Sequence, residues 1–136
     1  MRRFTVSTEA TGHLRTVDVR VYPTVRHMHR AARRNSVATG RPQSYKGAEA
    51  VTSCFRHEVF DGEKWSATTE AGAIYLIEGR TTPEVVAHEA AHMAVGIYER
   101  DDFEEGFHEE MFPSMKWEER FCYLVSDLTR EILERV

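Results

Sequence analysis

The sequence predicts a single α+β domain, a small mixed or antiparallel sheet packed with helices, and three observations carry that expectation. Residues 14–22 alternate apolar and polar side chains, which reads as a strand with one buried face. Residues 82–100 carry a capped helical pattern directly after a short, wholly apolar strand. Residues 114–136 carry an apolar stripe at helical spacing. At 136 residues the chain suffices for one hydrophobic core, so 1–136 is read as one domain.

Each element follows in chain order. Leu14 to Tyr22 is the alternating strand, and Pro23 ends it. Thr24 to Arg34 reads as a short helix, with Val25, Met28 and Ala32 on one side among arginines. Asn35 to Lys46, with Gly40 and Pro42 inside it, reads as a loop. A strand is expected in the second half of Ala48 to Phe60, and the Asp61-Gly62-Glu63-Lys64 stretch is a hairpin-type turn. Ala73 to Ile77 is an apolar strand closed by Gly79. Thr82 is placed to cap the next helix, Pro83 suits its first position, and Glu84 complements its dipole. That helix should run to about Tyr98 or Arg100, with Val86, Ala90, Met93 and Ile97 as its core stripe. Asp101 to Phe112 follows as an acidic excursion. Ser114 is a candidate cap for a last helix with Phe121, Leu124, Val125, Leu128 and Ile132 facing the core.

Charge divides the chain. Residues 1–56 hold eleven Lys/Arg against three Asp/Glu, a net of +8, and residues 57–136 hold seven against nineteen, a net of −12. Within one domain such halves are expected to attract each other or to differ in surface charge, and binding of nucleic acid by the basic half is the less favoured reading. No apolar run approaches the roughly 18 residues needed to cross a bilayer, and no apolar segment follows Met1-Arg2-Arg3-Phe4 as a secretory signal requires. A cytoplasmic protein without a membrane partner is therefore expected. Cys54 and Cys122 form no Cys-x-x-Cys pair and are expected to be buried small hydrophobes.

Chemistry concentrates in His88-Glu89-Ala90-Ala91-His92. Four residues apart on a helix, the two imidazoles share a face, about 6 Å apart along the axis, so one metal ion can take a nitrogen from each. Glu89 lies about 100° round the helix, where its carboxylate can meet a water at the metal without being a ligand. This is the HExxH pattern of zinc peptidases, with the glutamate as general base. Catalytic zinc takes three protein ligands and leaves a position to water, so a third donor is required. A metzincin would have glycine three places after His92 and histidine six places after; Val95 and Tyr98 stand there and exclude that class.

The sequence here resembles the gluzincin zinc peptidases, whose third ligand is a glutamate on a later helix followed three places on by a small residue. Glu118-Glu119-Arg120-Phe121-Cys122-Tyr123 supplies the match. It looks most like the compact peptidases, often encoded by phages and mobile elements, related to the ImmA/IrrE type. The resemblance covers Tyr75 to Leu133. It implies a compact zincin-like fold with its metal site in the half 73–136, while the basic half (1–72), read as strands and helix, matches no family. It implies Zn2+ as cofactor, and a protein or peptide substrate, such as a regulator, cut by zinc-activated water. Periodicity favours Glu118 as third ligand and the family's spacing favours Glu119; Glu119 is chosen, with His108 or Asp101 as further alternatives. The acidic residues from Asp102 to Glu110 are expected to be solvated surface that disfavours anionic substrates. Tyr123 is the candidate oxyanion stabiliser, ahead of Tyr98 and Tyr75. The strand at Ile74 to Ile77, if it lies at an edge, offers backbone pairing to an extended peptide. The basic run Arg26 to Arg34 is expected to be a solvated face complementing the acidic half.

Overall fold

A computed structural model describes residues 1–38, 40, 43–55, 58–60, 62–63, 65–104 and 116–136, with backbone alone at 58–60, 65–67, 102–104 and 116–117. The strands are β1 (Arg2–Thr8), β2 (Arg15–Tyr22), β3 (Val51–Cys54), β4 (Glu58–Phe60), β5 (Trp65–Ala67) and β6 (Glu70–Ile77). The helices are α1 (Val25–Ala38), α2 (Pro83–Glu104) and α3 (Lys116–Leu133). The expected α+β class holds, and the sheet is mixed: its order is β1-β2-β6-β3, with β2 and β6 parallel and the outer pairs antiparallel. β4 and β5 form a separate hairpin around the Gly62 turn, whose Asp61 and Lys64 lie outside the described residues.

Alternation along the two central strands builds a core on each face. Val17, Val19 and Val21 of β2 and Ile74 and Leu76 of β6 pack with α2 and α3. Tyr22 of β2 and Ala73, Tyr75 and Ile77 of β6 pack with Met28 and Ala32 of α1. Burial on both sides explains why β6 reads as an unbroken apolar run. β6 is therefore internal, hydrogen-bonded to β2 and β3, and cannot offer an edge to a peptide; on that side of the sheet the edge is β3.

α2 begins as its sequence predicts: Thr82 accepts from the Val85 amide through its hydroxyl and from the Val86 amide through its carbonyl. Val86, Ala90, Met93 and Ile97 are fully buried. The helix runs past Arg100 because tertiary contacts hold its last turns. Asp101 accepts from Arg15 Nη2 at 2.6 Å and from the Thr11 hydroxyl at 2.5 Å, and the Arg100 guanidinium donates to the carbonyls of Thr68 and Glu70. On α3, Leu124, Leu128 and Ile132 are buried and Phe121 and Val125 are half-buried, as the stripe predicts. The predicted cap at Ser114 lies outside the described residues.

The cysteines depart from expectation. Both are free and exposed rather than core residues. Cys54, at the end of β3, nevertheless turns its sulfur onto α2, 3.8 Å from the His92 carbonyl oxygen. Gly96 makes that approach possible, since a Cβ there would stand 2.5 Å from the sulfur. No helix among the described residues is long and apolar enough to cross a membrane.

Candidate functional site

With the apolar stripe of α2 turned inward, His88 and His92 stand on its exposed side. Their Nε2 atoms converge to 3.1 Å and their rings meet edge to face, with centroids 4.8 Å apart. Two nitrogens bound to one tetrahedral zinc at about 2.0–2.1 Å would lie roughly 3.3 Å apart, so the pair is already near the separation that zinc requires. An imidazole pair of this geometry also shares a hydrogen bond when one ring donates and the other accepts. The donor chemistry and spacing of these two side chains fit zinc.

Glu89, about 100° round the helix from His88, reaches Thr52 of β3. It is 5% exposed, and the Thr52 hydroxyl stands 2.5 Å from Oε2 and 3.2 Å from the Glu89 carbonyl oxygen. Edge strand and motif helix are thus joined at the residue that HExxH chemistry makes the base. Beside them opens a cleft of about 440 Å³, lined by Ala48, Glu49, Ala50, Glu84, His88 and Glu89. Its three carboxylates, with no Lys or Arg in the lining, favour a cationic or neutral occupant over an anionic one.

The remaining predicted site residues are more scattered. Glu118 and Glu119 are both exposed in the first turns of α3. Measured round that helix from the line of Leu124, Leu128 and Ile132, Glu118 lies about 80° away and Glu119 about 180° away. Among the described residues, no group of three or more His, Cys, Asp or Glu is placed to hold a metal ion, so neither glutamate joins the histidines in this conformation. Asp101, an alternative ligand, is engaged elsewhere: its carboxylate is buried against Arg15 and Thr11. His108 and residues 105–110 lie outside the described residues, as do the side chains of Asp102 and Glu104.

Of the tyrosines, Tyr123 is 61% exposed on α3. Tyr98 packs edge-on against Phe121 between α2 and α3. Tyr75 is excluded as an oxyanion donor by placement: it is fully buried on the α1 side of the sheet, stacked on Tyr22, opposite the motif helix.

Thr52 is the site residue that sequence reasoning passes over. A threonine in an apolar stretch is an ordinary strand residue, and only pairing of β3 with β6 brings it to Glu89. Comparison of the chain with protein-family profiles, curated proteins and solved structures gives no match in any of the three.

Proposed function

We propose that the protein is a zinc-dependent peptidase acting on a protein or peptide substrate, with His88 and His92 as two of the metal ligands. The observation that supports this best is the convergence of their Nε2 atoms to 3.1 Å on the exposed side of α2, with Glu89 between them in sequence and a cleft alongside. Zinc, when bound, supplies Lewis acidity that activates water and polarises a carbonyl. Glu89 is the general base of this reading, taking a proton from water and delivering it to the departing amine. Thr52 holds that carboxylate by its hydroxyl. The unpaired side of β3 offers backbone groups to an extended peptide lying along the cleft.

The third ligand is assigned to the first turns of α3. Spacing within the resemblance to gluzincins selects Glu119, while helix phase, with Glu118 nearer the core-facing side, supports Glu118. Either choice requires the start of α3 to approach the histidines when metal binds. Tyr123, exposed on the same helix, remains the proposed oxyanion donor.

Metal analysis of protein purified without added metal tests the reading. About one zinc per chain is expected from three protein ligands and one open position, abolished in His88→Ala and in one of Glu118→Ala and Glu119→Ala. Glu89→Gln should keep the metal and lose peptide hydrolysis. No zinc in the wild type, and none taken up from micromolar solution, overturns the proposal.

A further inference from the structure

The basic run of α1 has a place in the fold that its sequence alone does not give. Between Asp18 and Glu49 the chain contains no Asp or Glu, and α1 lies in the middle of that interval. Met28, Ala32 and Ser36 are the buried residues of this helix, and Met28 and Ala32 pack on the sheet. Arg26, Arg30, Arg33 and Arg34 are all exposed, as is His27. At about 100° per residue, Arg26, Arg30 and Arg33 fall within an arc of roughly 60° and Arg34 lies about 40° beyond it. The four form one stripe along the outer side of α1.

Among the described residues, the expected acidic complement is not found on this helix. Arg3 and Arg20 pair with Asp18, Arg15 with Asp101, and Arg130 and Arg135 with Glu131. Among the described residues none of the four α1 arginines has an ion pair. α1 and α2 pack on opposite faces of the sheet, and α1 meets the lining of the cleft through His29, not the arginines, at the Ala48 carbonyl. A row of exposed guanidinium groups with no ion pair among the described residues is chemically matched to a polyanion.

We infer that the outer face of α1 binds the phosphate backbone of nucleic acid. Guanidinium is the group whose planar fork meets phosphate oxygens two at a time. About 6 Å of helix axis separates Arg26 from Arg30, with Arg33 and Arg34 a further turn along, so several phosphates of one backbone can be met together. A membrane surface is a poorer match, because a helix lying in a bilayer interface needs a broad apolar outer face. On the outer side of α1 Val37 is the one large exposed hydrophobic residue among those described. Contacts of this kind position a protein on nucleic acid without reading its bases, so the binding is independent of sequence.

Fluorescence anisotropy of the full chain with a short labelled DNA duplex, titrated between about 50 and 200 mM salt, tests this. Binding at low salt is expected, with log affinity falling against log salt at a slope of about −3 to −4, near 0.9 per arginine engaged. Arg26→Ala/Arg30→Ala/Arg33→Ala should reduce the slope to about −1 and weaken binding at least tenfold at low salt. Lys46→Ala/Arg80→Ala/Arg130→Ala removes the same charge from exposed positions elsewhere and should bind as the wild type does. All six positions are exposed, and circular dichroism with urea unfolding verifies that both variants fold. Absence of binding at low salt overturns the inference, and so does equal loss in both variants. Preference for polyglutamate or for anionic vesicles over the duplex overturns it as well. None of these readouts depends on zinc or on peptide hydrolysis.

Discussion

The hydroxyl of Thr52, on the edge strand β3, stands 2.5 Å from the carboxylate of Glu89, which follows His88 on α2. Glu89 is 5% exposed, and a carboxylate so withdrawn from water needs donors. Thr52→Val keeps the shape of the side chain and removes its hydroxyl. It should destabilise the fold by about 1–3 kcal/mol, while Thr52→Ser should recover most of the loss. Urea unfolding of the two variants measures this, and a valine variant as stable as the wild type would show that the contact does not hold the carboxylate. On the peptidase reading, turnover should fall with valine and return with serine.

A second contact fixes the far end of α2. The side chains of Arg15 and Asp101 are 11% and 1% exposed, and they join the start of β2 to the last turns of the motif helix. Removing one partner leaves the other charged, buried and unpaired. Asp101→Ala should therefore cost about 3–5 kcal/mol, and replacing both residues by well-packed apolar ones should cost much less. A double-mutant cycle read by urea unfolding checks both statements. Additive single losses would mean that the two charges do not depend on each other.

These contacts mark where the sequence was legible and where it was not. α2 could be read in its first turns because its signals are local: the Thr82 cap, Pro83 and the stripe of Val86, Ala90, Met93 and Ile97. Its last turns could not, since they rest on Arg15 and Thr11, distant in sequence. β6 was visible as an apolar run, but whether it lay inside the sheet or at its edge is decided by β2 and β3. β1 escapes notice because its inward residues are only Phe4, Val6 and Thr8, at the start of the chain, between arginines and small polar residues. α1 continues four residues beyond Arg34, where Asn35 and Ser36 suggest a loop. Their side chains find partners in the fold instead: Asn35 donates to the Ser53 hydroxyl, and Ser36 donates to the Arg33 carbonyl. At the candidate site, the spacing of His88 and His92 is a property of one helix and could be read directly. The choice between Glu118 and Glu119 depends on how two helices meet, which no local pattern contains.

Tyr75 gives a prediction whose sign follows from burial. Its ring stacks on Tyr22 with centroids 6.1 Å apart and lies 5.4 Å below the Arg20 guanidinium carbon, yet its buried hydroxyl has no hydrogen-bond partner among the described residues. Tyr75→Phe keeps both ring contacts and removes that hydroxyl, so it should raise stability by about 1 kcal/mol at neutral pH. Alkaline solution should widen the difference. Desolvation raises the Tyr75 phenol above its ordinary value, and the positive charge of Arg20 offsets only part of that rise. The folded state therefore holds the Tyr75 proton at a pH where the unfolded chain has released it. Stability from this group is complete below the unfolded value of about 10, and declines as pH rises from there through the higher folded value. The phenylalanine variant has no such proton to hold and should lose less stability over that range. Urea unfolding of both proteins at neutral pH and above pH ~10 measures the two effects. A phenylalanine variant less stable at neutral pH would mean that the Tyr75 hydroxyl has a partner in solution.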